Sequence, residues 1–252
     1  MGDTNKKEDL LNSTMSLGDH LEELRMRLLL ALAGLMVAFI VCLFFGKYII
    51  TFIKAPYVAA VTSGEAQLTT LKPAEVIVSY IKICLISGLI ISSPWVFYQI
   101  WMFIAAGLYS REKRYVHIAV PFSAGLFIVG ALFFIFIVAP LCMRFFIKFS
   151  DMLGLMRTWT LGYYVSFIAH LMLVFGLAFQ TPTAIFFLNR TGLVSLQSLS
   201  RARKYVILVI VIVAAMATPP DVVSQIALAI PMYLLFELGI LLSYIASRRE
   251  GP

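Results

Sequence analysis

Apolar residues along this chain come in long unbroken runs, and most of the charge sits in short stretches between them. Six runs stand out: roughly Leu28 to Ile50, Ile77 to Ile104, Ile118 to Leu141, Tyr164 to Leu188, Tyr205 to Ala217 and Ile226 to Ala246. About 20 apolar residues cross a bilayer core as a helix, because hydrocarbon offers no partner to a backbone donor or acceptor. The pattern therefore predicts an all-α integral membrane protein, one membrane domain of six spans over residues 1–252. The fifth run is short for a bilayer of ordinary thickness, so it must extend into its flanks or cross where the membrane is thin. It is joined to the sixth only by "TPPDVVSQ". The first run is not a cleavable signal peptide, because its Ala31-Leu32-Ala33 lies inside the run and the preceding segment is mixed in charge.

Composition agrees with the runs: 61% of 252 residues are hydrophobic, 13% are charged and the mean hydropathy is +0.94, more apolar surface than a soluble domain could bury. A net charge of +7 would suggest nucleic acid if it clustered on one soluble face, but here the basic residues are dealt out among the loops and set topology instead. The N-terminal segment, the loop after the second run, the loop after the fourth and the tail hold thirteen Lys and Arg. The other side holds six: Lys47, Lys54, Lys72, Arg144, Lys148 and Arg157. The positive-inside rule then puts both termini in the cytoplasm and the loops of about residues 51–76 and 142–163 outside.

Chemistry is sparse. No Gly-rich phosphate loop, HExxH, GxSxG or CxxC is present, so neither an enzyme nor a metal or other cofactor is expected. Cys42, Cys84 and Cys142 lie in or beside apolar runs without metal-like spacing and read as buried thiols. Apart from Lys47 near the outer end of the first run, the runs offer only Lys82, His170 and Glu237 as charged or imidazole groups, too few for a proton relay, although each is a functional candidate by virtue of its place. A proton-coupled transporter would show internal repeats and several mid-membrane charges, and neither is seen.

The stretch "SLGDHLEELRMRLLL" gathers Asp19, Glu22, Glu23, Arg25 and Arg27 just ahead of the first run. Ser16 with Asp19 resembles a capping box, and Leu17, Leu21, Leu24 and Leu28 recur at helical spacing, so residues 16–27 read as a short cytoplasmic amphipathic helix. Its glutamates have a local use: Glu23 precedes Arg27 by four residues and Glu22 precedes Arg25 by three. They have a second use if Glu112, set among Arg111, Lys113 and Arg114 on the same side, stands near them. Two carboxylates on a rigid scaffold can each hold a guanidinium bidentately, which an ammonium cannot match.

These residues resemble the TatC family, the multispanning core subunit of the twin-arginine protein translocase. The likeness is carried by "DHLEELRMRL", "KAPY", "SSPWVFYQIWMFIAAGLYSREKR", "FGLAFQTPTAIFFL" and "TPPDVVSQIALAIPMYLLFELGILLS", in the family's order. The resemblance implies a receptor for twin-arginine signal peptides of folded export substrates in the bacterial cytoplasmic membrane. It implies that Glu23 and Glu112 form the acidic pair, that His20, Leu21, Arg25 and Arg27 belong to the family's N-terminal segment, and that Phe103, Leu108 and Tyr109 flank the loop site. It further implies that Pro56 shapes the outer cap and that Asp221 is the acid of the short outward turn. Partners would be TatA- and TatB-type single-span subunits in a multimeric complex driven by the proton-motive force, together with membrane lipids and without nucleic acid. Gln180 stands where several family members carry glutamate; it and Glu237 are read as intramembrane polar contacts. Prolines at 94, 182 and 231 should bend or interrupt the helices and leave a concave bundle.

Overall fold

The structure is a computed structural model that describes residues 17–61, 68–106, 113–155, 159–217 and 222–248, with side chains described for 21–61, 68–106, 118–155, 159–216 and 222–246. Its elements are helices: α1 Leu17–Ala60, α2 Pro73–Ala106, α3 Lys113–Phe133, α4 Ala139–Met152, α5 Leu161–Ala178, α6 Thr181–Arg190, α7 Leu196–Ala217 and α8 Val222–Arg248. A π-helical turn, Phe134–Val138, fuses α3 to α4 just ahead of Pro140, so the pair reads as one rod. Among the described residues, five stretches are long and apolar enough to cross a membrane: Leu21–Ala60, Pro73–Ala106, Ile118–Met152, Leu161–Arg190 and Val222–Ala246. In α7 the apolar run follows Arg201, Arg203 and Lys204 within one continuous helix.

The amphipathic segment and the first run are not separate elements. They share one 44-residue helix, whose length of about 66 Å is roughly twice a ~30 Å hydrocarbon core. Nothing between residues 17 and 55 breaks it, because the segment holds no proline and Gly34 and Gly46 serve packing. Pro56 likewise lies inside the last turns of α1 and not in the loop that follows.

α1 packs chiefly against α2, and Gly34 and Gly46 make the close approach possible. A methyl on Gly34 would overlap the Trp95 indole, and one on Gly46 would overlap the Tyr80 ring. Each aromatic group also bonds the helix it covers: Trp95 Nε1 donates to Leu30 O at 2.9 Å, and the Tyr80 hydroxyl donates to Leu43 O. The main core forms where the far half of α1 (Ile53, Tyr57) meets α2 (Ile83), the π turn (Phe134, Ile135), α4 and α5 (Ile168, Leu171, Phe175), with Ala214 and Leu228 reaching in from α7 and α8. A smaller cluster around Trp101 and Ala105 joins α2 to α3 and α6, and a third, Ile185 with Phe236 and Ile240, joins α6 to α8. Cys42, Cys84 and Cys142 are buried thiols outside any disulfide, as their setting in the apolar runs indicates.

Many large apolar side chains face outward, Phe44 at 83% exposure among them, which suits contact with lipid and not with water. At the far end of the bundle, Thr69 and Thr160 form a parallel bridge: Thr69 N donates to Trp159 O and Leu161 N to Thr69 O, both at 2.9 Å. Glu75 fastens the same junction by accepting from Gly162 N at 2.6 Å and Leu71 N at 2.9 Å.

Replacing Gly34 with leucine is expected to push Trp95 off α1 and cost about 1–3 kcal/mol, the range for overpacking a filled interior. Thermal unfolding in detergent, with tryptophan emission shifting as the indole leaves its site, checks this.

Candidate functional site

At the other end of the bundle the first turns of α1 meet the last turns of α2. Glu23 and Arg27 lie one helical turn apart, and Arg27 Nη2 pairs with Glu23 Oε1 at 3.2 Å. The second arm of the guanidinium, Nη1, donates to Gln99 Oε1 at 3.3 Å. Gln99 is only 2% exposed, so an acceptor fixed in α2 holds Arg27 and, through it, Glu23. Phe103 follows one turn after Gln99 on α2 and is half-buried. Arg25 and Leu21 are exposed, and among the described residues Glu22 and Arg25 make no pair. The sequence pointed to Glu23, Arg27 and Phe103 but not to Gln99. The available signal was a single amide inside the apolar "WVFYQIWMF". Glu112, Leu108 and Tyr109 lie outside the described residues, as does the side chain of His20.

Gln180 sits at the break between α5 and α6. Its Nε2 donates to Ser123 O of α3 at 2.9 Å, and the Ser123 hydroxyl accepts from Trp101 Nε1 of α2 at 2.9 Å. Three helices are thus linked through one serine. The break has a local cause: Pro182 has no N–H for Ala178 O, and the Thr181 hydroxyl takes that carbonyl instead at 2.7 Å.

Glu237 of α8 faces α7. Arg203 Nε lies 2.9 Å from its Oε1 and Arg203 Nη2 lies 3.0 Å from its Oε2, a two-pronged pair, and the Tyr233 hydroxyl donates to Oε1 at 2.9 Å. An acid in an apolar run is expensive unless a counter-charge arrives with it, and here the cation comes from the basic start of α7.

Pro56 is buried beneath the capped end of the bundle. It removes a donor from the last turns of α1, and the Tyr164 hydroxyl bonds the nearby Ile53 O at 2.7 Å while Tyr57 packs on Trp159 and Tyr164. Asp221 lies outside the described residues.

The sequence profile of the Sec-independent protein translocase protein (TatC) family matches residues 19–231. The chain is 40% identical over 225 residues to the Sec-independent protein translocase protein TatC of Helicobacter pylori strain ATCC 700392 / 26695, covering 89% of this chain and 85% of that one. Against the TatC of Aquifex aeolicus strain VF5 it is 36% identical over 238 residues, 94% of this chain and 98% of that one. A crystal structure of the twin-arginine translocase receptor TatC superposes with a TM-score of 0.79 at 36% identity, covering 90% of this chain and 99% of that one. The chain belongs to the TatC family.

Membership accounts for the all-helical architecture and for the missing catalytic motifs, since TatC proteins are components of a protein translocase and not enzymes. It also places the two polar networks within a known scaffold. In this TatC chain Gln180 bridges helices as a neutral amide, and Glu237 is tied to Arg203 as an ion pair.

Removing one partner of that pair is expected to cost more than removing both. Arg203→Met or Glu237→Met alone leaves an uncompensated charge and should lose on the order of 3 kcal/mol, whereas the double variant should recover most of it. A double-mutant cycle on thermal stability in detergent reads the difference.

Proposed function

We propose that this chain receives twin-arginine signal peptides at the junction of α1 and α2 on the cytoplasmic side of a bacterial inner membrane, with both termini in the cytoplasm. The observation that carries the reading is the Glu23–Arg27–Gln99 cluster, a carboxylate held by a guanidinium whose other arm is anchored on a buried amide. Glu23 is poised and not locked: it is paired through one oxygen to Arg27 at 3.2 Å, a length at the long end for a charge-assisted bond. When a signal arginine arrives, Arg27 keeps its hold on Gln99 while Glu23 turns one or both oxygens to the newcomer. Glu112, six residues beyond the end of α2, supplies the second carboxylate for the second arginine. Arg25, Leu21, His20, Phe103, Leu108 and Tyr109 form the surround, with Phe103 giving an apolar edge to the peptide's hydrophobic residues.

TatA- and TatB-type single-span subunits assemble on the same chain in a multimeric complex, with the translocation step driven by the proton-motive force. The α7 run completes a sixth span, so that both ends of the chain fall on one side. Lipid contacts cover the outward apolar faces of the remaining helices. Pro56 and the Asp221 turn shape the outer cap, where the observed supports are the Tyr164 and Glu75 hydrogen bonds. A solute transporter using Glu237 as its proton site is disfavoured by geometry, because both oxygens of that carboxyl are already engaged, by Arg203 and Tyr233.

Binding of a twin-arginine peptide to the membrane-embedded chain tests the reading. Glu23→Ala and Glu112→Ala should each weaken binding about 10- to 100-fold, the worth of roughly 1.5–3 kcal/mol for a charge-assisted bond. A Lys-Lys peptide should show the same loss on the wild type, and raised salt should weaken the wild-type complex. Unchanged affinity in all three comparisons would leave Glu23 with its local pairing to Arg27 and nothing more.

A further inference from the structure

Lys82 lies nine residues into α2, about 13 Å along the helix from Pro73. Its ammonium has three protons to place, and its one hydrogen bond among the described residues goes to the Ser166 hydroxyl of α5 at 2.8 Å. A neutral hydroxyl does not balance a charge at that depth. Glu75, a carboxylate on the same side of the bundle, stands two helical turns back toward the surface, and its oxygens are already taken by three backbone donors: Gly162 N, Leu71 N and Lys72 N. Among the described residues no carboxylate pairs with Lys82.

The space for an anion is present. A notch of about 280 Å³ runs between the start of α2 and the start of α5, with Lys72 at its rim, Lys82 and Ser166 deep in it, and Ser79, Thr160 and Tyr163 along its sides. Two ammoniums share it with one carboxylate that faces backbone N–H groups, so it attracts an anion. Beside it the outward face of α2 is apolar, with Val78, Ile81 and Leu85 each more than 40% exposed in a row that runs away from the surface. A polar, cationic notch continued by an apolar track fits an anionic head joined to acyl chains.

We infer that Lys82 anchors a phospholipid phosphate, bound in the notch with its acyl chains along α2, in the leaflet nearest the Thr69–Thr160 bridge. Which leaflet that is rests on the topology proposed above; the site itself does not. A phosphate oxygen takes the Lys82 protons that Ser166 leaves, and Lys72 closes over the headgroup.

Native mass spectrometry of the purified full-length chain, titrated with phosphatidylglycerol, tests this independently of any signal peptide. The wild type should retain one lipid more than Lys82→Met, whose affinity should fall about tenfold, while Lys82→Arg should hold the lipid nearly as well as the wild type. Diacylglycerol with the same chains should not be retained, and excess inorganic phosphate should not displace the phospholipid. If Lys82→Met does not fold, Lys82→Gln, which keeps a polar head toward Ser166, has the same expected outcome. Equal retention by wild type and neutral variant, equal retention of diacylglycerol, or displacement by inorganic phosphate would each overturn the assignment. Failure here leaves peptide binding at Glu23 untouched, and the reverse also holds.

Discussion

Hydrocarbon gives a backbone carbonyl nothing to bond, and that constraint runs through every irregular point of this fold. Each proline inside an apolar helix removes one donor and leaves one acceptor stranded four residues earlier. Two of these losses are answered by the residue immediately before the proline. The Ser93 hydroxyl donates to Ile90 O at 2.7 Å beside Pro94, and the Thr181 hydroxyl donates to Ala178 O at 2.7 Å beside Pro182. The outcomes still differ. α2 runs unbroken past Pro94, whereas the chain steps from α5 to α6 at Pro182, where Phe179 bends and Gln180 turns its amide to the Ser123 carbonyl. With a partner on α3 available, the break costs little; without one, the helix continues.

The same logic orders the charges. Arg27, Arg203 and Lys82 each lie on an apolar helix with a long aliphatic stem, and each reaches a different kind of partner: a carboxylate plus an amide, a carboxylate held in two places, and a single hydroxyl. The Arg203–Glu237 pair binds two helices and is complete in itself. Arg27 is shared between a structural partner on α2 and a carboxylate at the membrane lip, so the carboxylate can change partners without freeing the arginine. Of the three cations, Lys82 is the least compensated among the described residues. Stability and recognition therefore divide among residues of the same type by how fully each charge is matched.

Much of this is legible in the amino-acid sequence. Unbroken apolar runs gave the helices, and the interval of four between Glu23 and Arg27 gave their pair, because both follow from local periodicity. Gln99 was hidden, since nothing in its neighbours tells an amide facing α1 from one facing lipid. The Arg203–Glu237 pair was hidden too: its partners are 34 residues apart, and only the packing of α7 on α8 joins them. The extent of α1 was misread for a different reason. Charge density at Glu22 to Arg27 suggested a separate surface element, but charged residues with good helix propensity do not end a helix, and no proline or capping residue intervenes. Pro56 falls beyond the end of the first apolar run and so reads as part of the outward loop; in the fold it is tolerated inside the last turns of α1, where Tyr164 bonds the nearby Ile53 carbonyl.

The length of α1 couples the two ends of the molecule. One rigid rod carries Glu23 at its beginning and Tyr57 at its end, and glycine-backed contacts with Trp95 and Tyr80 pin its middle to α2. α2 in turn bears Gln99 at the Glu23 end and Glu75 at the Tyr57 end, where it bonds the start of α5. A peptide drawing Glu23 away from Arg27, as proposed above, would act on a pair of helices fixed to each other along their length. The pair joins α5 through the main core, where Ile53, Tyr57 and Ile83 pack with Ile168, Leu171 and Phe175, and the Thr69–Thr160 bridge extends that junction beyond the core, with Leu68 and Trp159 packed beside it.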